Sequence, residues 1–208
     1  MEWSFADQPH PEISGVWTDN IWPPERWYQM PELAYGNTLS LWEWDNLPAS
    51  KTLVTKMTEE QLLLWAVDNI VGQICNGGFD LALDNSYGEL AEDAIIGLRK
   101  FGLVRHAEIV DEAWNVFGVR PVPRSRIVRC EQLERLSNAE PLAPIEPPIL
   151  RRAGTIFTEI SKAWYDLETE FYGLLNEKKT KEFGGVYTAF YHPIAEWIYT
   201  HRDRFFIV

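Results

Sequence analysis

The sequence predicts an all-α protein, an irregular helical bundle with helical hairpins, preceded by a Trp-rich N-terminal extension of mostly irregular structure. Three observations carry that prediction. From residue 57 onward apolar residues recur at helical spacing. Glycine and asparagine punctuate those stretches at intervals suited to short turns. Residues 1–50 hold six of the ten tryptophans and no sustained helical period. The chain therefore divides into an acidic Trp/Pro-rich extension over 1–50 and a helical domain over 51–208, with a Pro/Arg-rich connection over 119–154.

Within the extension, Trp3, Trp17, Trp22, Trp27, Trp42 and Trp44 are expected to pack onto the helical core, as large aromatics usually do. "TLSLWEWDNL" (38–47) alternates in part, as a short strand does. "MTEEQL" then places Thr58 at an N-cap with Gln61 three residues on, and Met57 and Leu62 at the two positions of a hydrophobic staple. Leu63, Val67, Ile70 and Ile74 continue as one buried stripe until Asn76-Gly77-Gly78, read as a terminator at which the backbone adopts left-handed angles, with Phe79 anchoring the corner in the core. A short helix over "FDLALDN" follows, and "NSYG" supplies a turn.

The next helix runs over about 89–101 with Leu90, Ala94, Leu98 and Phe101 on its apolar face and Gly102 closing it. Its partner carries Ala107, Val110, Trp114 and Phe117 inward and ends at Gly118, so the two form an antiparallel hairpin. Six prolines (Pro121, Pro123, Pro141, Pro144, Pro147 and Pro148) bracket one short helix, "RIVRCEQLERL". Phe157, Ile160, Trp164, Leu167, Phe171 and Leu174 then recur at alternating steps of three and four, a seam suited to packing on another helix. The last helical region, 186–202, is interrupted by Pro193.

Size and charge narrow the function. With 208 residues, 46% of them hydrophobic, the chain buries a substantial core. Its formal charge of -12 disfavours direct binding to nucleic acid or an anionic membrane and makes a basic partner the natural complement. Cys75 and Cys130 are the only cysteines and lie far apart, which excludes a disulfide framework and fits a reducing compartment. The first residues lack a signal-peptide pattern and no apolar run approaches the ~20 residues of a membrane span, so the expected location is the cytoplasm.

Motifs for chemistry are missing. "CNGGFDLALD" has neither the spacing nor the lysine of a phosphate loop, and its aspartates would repel a phosphate. His10, His106, His192 and His201 are scattered, and His192 with Glu196 is one ligand short of a zinc site. No nucleophile motif is present. The sequence therefore assigns no catalytic residue, cofactor or metal. An enzyme of unrecognised type stays open as an alternative, with Asn76, Asp80, Asp84 and His106 as the residues to gather around a pocket.

Charge distribution is more informative. Residues 1–50 carry a net charge of -7, residues 51–112 carry -6, and residues 113–208 carry +1. Glu89, Glu92 and Asp93 stand at i, i+3 and i+4, and Glu108, Asp111 and Glu112 repeat that spacing, each trio expected on the side away from its apolar stripe. Asp80 and Asp84 are expected to share an outward face with Asn76. A trio spans ~6 Å of helix, over which B-DNA carries about three to four phosphate charges. These eight carboxylates form the candidate partner-binding surface.

The stretch 57–118, with its helix ending in "NGGF", its "NSYG" turn and its hairpin, together with "DLETEFYGLL" and "YTHRDRFF" nearer the C-terminus, resembles a bacterial domain family named for DNA-mimic proteins. The resemblance implies an all-helical, non-enzymatic protein that can dimerise. It also implies acidic side chains that stand in for DNA phosphates toward a basic DNA-binding protein such as a transcription factor. An immunity-type protein that neutralises a cognate toxin is the alternative, with Trp17, Trp22 and Trp27 as its contact surface.

Overall fold

The structure is a computed structural model and describes residues 3–14, 16–17, 34, 46–138, 159–176 and 188–207. It is all-α. The elements are α1 (Leu47–Val54), α2 (Glu59–Asp84), a 3-10 segment (Ser86–Leu90), α3 (Ala91–Lys100), α4 (Val104–Phe117), α5 (Arg126–Ser137), α6 (Glu159–Asn176), α7 (Thr188–Thr200) and a closing 3-10 turn (Arg202–Arg204).

Helix α1 was not anticipated, although its signal is local: Asn46 caps Ala49 N–H at 3.4 Å and Pro48 lies in the first turn. Residue 47 of the expected strand belongs to this helix, and 38–45 lie outside the described residues.

The start of α2 follows its sequence signature. Thr58 Oγ1 accepts from Gln61 N–H at 3.2 Å, and Gln61 Oε1 accepts from Thr58 N–H at 3.0 Å. Both residues are buried because the same groups join distant segments. The Gln61 amide donates to Ser14 Oγ (2.7 Å), Ala34 O (3.1 Å) and Phe205 O (3.0 Å), while the Thr58 hydroxyl donates to Arg204 O (2.6 Å). Residues 14, 34, 204 and 205 are thus pinned to one helix start. Nearby, Trp17 N–H donates to Ile207 O at 3.0 Å in an isolated parallel bridge, and Ile13 is buried.

The expected corner is present, as a kink at which two helical segments meet within α2. Helix α2 continues to Asp84, and only Gly78 leaves helical angles, at φ 92° and ψ -179°. That region is open essentially to glycine alone. Helix α6 secures the kink from outside: Glu168 Oε1 accepts the Phe79 N–H at 2.9 Å, and the Tyr172 hydroxyl donates to Ile74 O at 2.5 Å. Phe79 is fully buried, edge-on to Trp114 and Phe171.

After the kink, Asn85 accepts from Tyr87 N–H at 2.9 Å and donates to Gln73 at 2.7 Å. The neighbouring Arg129 of α5 is fully buried and reaches four carbonyls: Leu83 (2.8 Å), Asn85 (2.7 Å), Pro123 (2.9 Å) and Arg124 (2.5 Å). A Cβ on Gly88 would stand 2.5 Å from Arg129 Nε, so this glycine makes room for the arginine.

Helices α3 and α4 turn about Gly102 and α4 ends on the left-handed Gly118. Helix α6 lies antiparallel along α4, since Trp164 donates to Ala113 O at 2.9 Å while Glu170 meets Arg105 at the other end. Of its expected seam, Trp164 and Phe171 are buried and Leu167 and Leu174 are half-buried; the Ile160 side chain and residue 157 lie outside the described set. Pro193 does not interrupt α7, which runs through it. One lost hydrogen bond is outweighed by the burial of Phe190, Ile194, Ala195 and Ile198 on the same face.

A Cβ on Gly78 would stand 2.2 Å from Glu168 Oε1, adding a clash to a forbidden backbone geometry. Gly78→Val is therefore expected to destabilise the protein by about 3 kcal/mol or more, measured by urea unfolding; unchanged stability would contradict this account of the kink.

Candidate acidic interface

The eight predicted carboxylates separate into four pairs. Glu89 and Asp93 are buried, at 2% and 6% exposure, which corrects the expectation that their trio faces outward. Helix α3 begins at Ala91, so Glu89 sits in the 3-10 segment and helical phase does not govern it. Its Oε1 lies 3.5 Å from Ser50 Oγ.

Asp93 is drawn inward by groups far away in sequence. Arg124 donates to Asp93 Oδ2 at 2.8 Å and Oδ1 at 3.3 Å, Trp3 Nε1 donates to Oδ1 at 3.2 Å, and the guanidinium stacks 4.1 Å from the centre of the Trp3 ring.

Glu92 and Asp111 are held by the same connection. Arg120 bonds Glu92 at 3.0 Å and Asp111 at 2.8 Å, Val122 N–H donates to Glu92 at 2.6 Å, and Arg99 reaches Asp111 at 3.1 Å. Partial burial works against the Arg120 charge, but Asp111 and Glu92 outweigh it and raise its pKa above the usual arginine value. Arg120 and Arg124 of the connection, together with Arg99 of α3, thus match the carboxylates of α3 and the inner carboxylate of α4 one for one.

The outer α4 residues differ. Glu108 and Glu112 are exposed and share one cation, Arg105, at 3.0 and 3.7 Å. Exposed Glu170 of α6 joins them across the helix pair, 2.7 Å from the same guanidinium. The hydrogen bonds that Arg105 donates to Glu108 and Glu170 push its pKa up. Three carboxylates around one guanidinium leave a formal surplus of two negative charges on an open ridge. Glu170 was missed because the α6 seam marks it only as outward; its place beside Arg105 is a tertiary fact.

Of the remaining two, Asp84 is exposed, 3.9 Å from Arg126, and lies 3.4 Å from Cys130 Sγ. Burial, aided by Asp84, raises the Cys130 pKa. Asp80 is half-buried and accepts from Leu81 N–H at 2.8 Å. Asn76 is exposed beside the kink, with Gly77 and Gly78 buried under α6 and Leu81.

Two of the residues named for an unrecognised enzyme, His106 and Asp84, have separate neighbours. His106 packs against Phe171 and Phe190, while Asp84 faces α5. Among the described residues no group of three or more His, Cys, Asp and Glu is placed to hold a metal ion. No described helix is long and apolar enough to cross a membrane.

For the toxin alternative, Trp17 packs on Phe206 (5.1 Å) and Tyr199 (5.9 Å), and Trp22 and Trp27 lie outside the described residues.

Buried Asp93 makes Arg124 the sensitive partner. Arg124→Ala should cost about 3 kcal/mol in denaturant unfolding, because it strands a buried carboxylate. Adding Asp93→Ala should recover part of that loss; no recovery would show that Arg124 acts through other contacts.

Comparison with known proteins identifies a family. A family model described as DMP19-like protein, DMP19 being DNA mimic protein 19, covers residues 55–187 and stops short of "YTHRDRFF". Neither a curated protein nor a solved structure matches the chain.

Proposed function

The chain belongs to the DMP19-like protein family, and on that premise we propose that it is a non-enzymatic acidic binding protein, a DNA mimic that occupies the nucleic-acid site of a basic DNA-binding protein. The family match is the observation that carries this reading. The ridge of Glu108, Glu112 and Glu170 supplies a surface for it.

Magnitudes favour that ridge over the α3 carboxylates. Glu108 and Glu112 are one helical turn apart, ~6 Å along the axis, a length over which DNA presents about three to four phosphates. With Arg105 deducted, the ridge carries roughly half of that charge density. The carboxylates of α3 carry much less outward charge, since each described ion pair there cancels a negative charge with an arginine. Attraction of a basic partner would raise the association rate and weaken with salt.

The immobilised full chain, exposed to its own cell's cytosol at low salt, should capture DNA-binding proteins that added duplex DNA and raised salt both displace. The triple variant Glu108→Gln, Glu112→Gln, Glu170→Gln should retain markedly less. Capture only of proteins that DNA does not displace would overturn the mimic reading.

A further inference from the structure

His106 takes no part in the acidic ridge. It sits on the face of α4 that α6 and α7 cover and is only 8% exposed. The rings of Phe171 (α6) and Phe190 (α7) each lie 5.5 Å from the imidazole, inclined at 87° and 63°. Among the described residues Nε2 has no hydrogen-bond partner. A neutral imidazole tolerates this setting; an imidazolium needs acceptors for two N–H groups and a counter-charge.

The surrounding helices commit their charges elsewhere. On α4, Arg105 is engaged by Glu108, Glu112 and Glu170. On α6, Glu168 accepts the Phe79 N–H, and Glu170 faces Arg105. On α7, His192 and Glu196 are exposed, and on α2, Asp68 lies 3.3 Å from the Tyr191 hydroxyl. Burial alone shifts His106, downward from 6.5 to about 4.

We propose that this junction is an acid-sensitive joint: proton uptake by His106 undocks α6 and α7 from α4. Below the ordinary histidine value the undocked form binds a proton that the docked form refuses. The docked form's advantage is complete above pH 6.5 and is lost as pH falls from there toward 4. Release of α6 withdraws Glu168 and Tyr172 from the α2 kink and removes Glu170 from the ridge. The joint acts through the fold and does not depend on which partner the ridge meets.

NMR on the intact chain tests this by following the His106 ring together with amide protection factors in 159–176 and 188–200 between pH 7.5 and 4.5. The ring should stay neutral well below 6.5, and opening of α6 and α7 should rise roughly tenfold per pH unit below that value, ahead of α3. His106→Phe should flatten the dependence, with His106→Leu as a second variant should the first not fold. Titration of His106 near 6.5 with α6 still protected overturns the proposal. So does an unchanged acid response in a folded variant, which would assign the effect to the carboxylates.

Discussion

The described architecture depends on one irregularity, the Gly78 kink in α2, and on the helix that meets it. A backbone at φ 92° interrupts the regular helix, and the polar groups beside it need partners because they are buried under α6. Glu168 and Tyr172 stand one turn apart on α6 and reach both sides of the break. A carboxylate on the first N–H after the kink is also favoured by the dipole of the helical segment that starts there. Docking α6 in this way seats Phe171 against Phe79 and Trp164 over α4. It also carries Glu170, two residues from Glu168, to the opposite side, beside Arg105. Core packing and the outer ridge are therefore two faces of the same contact.

Net charge is a poor guide to where a field emerges. Arg120 and Arg124 return from the proline-rich connection to meet Glu92, Asp93 and Asp111, and with Arg99 of α3 they balance these three carboxylates locally. At 2.8–3.1 Å these are direct, charge-assisted hydrogen bonds, and the partly buried ones are little screened by salt. What remains outward is set by ratio: on the ridge, three carboxylates face one guanidinium. The same arginine-rich segment contributes to the core, where Arg129 binds four carbonyls without disturbing the surface.

Much of the helical framework was legible because its signals are local. Thr58 and Gln61 mark a capping box whose geometry depends on residues three apart, and Gly118 marks a left-handed stop. Trp164 and Phe171 keep helical phase and are buried. Local rules fail where distant residues override them. At Asn76-Gly77-Gly78 the expected break is present, but it is confined to Gly78, and α6 braces the segment that resumes after it. Pro193 should break a helix in isolation, but α7 is held by its buried face. Glu89 and Asp93 have the spacing of a solvent face, and groups from residues 3, 50 and 124 enclose them.

By itself the sequence determined an all-α chain, the start of α2, the hairpin of α3 and α4, and the need for a glycine at the corner. These follow from periodicity, capping and backbone sterics, which act over a few residues. Tertiary structure alone decided which carboxylates stay in water. An ion pair forms between side chains that the fold brings within about 4 Å, and helical phase says nothing about an arginine arriving from thirty residues away, as Arg124 does at Asp93. For the same reason the ridge is completed by Glu170 and not by Asp111: proximity across helices outranks spacing along one.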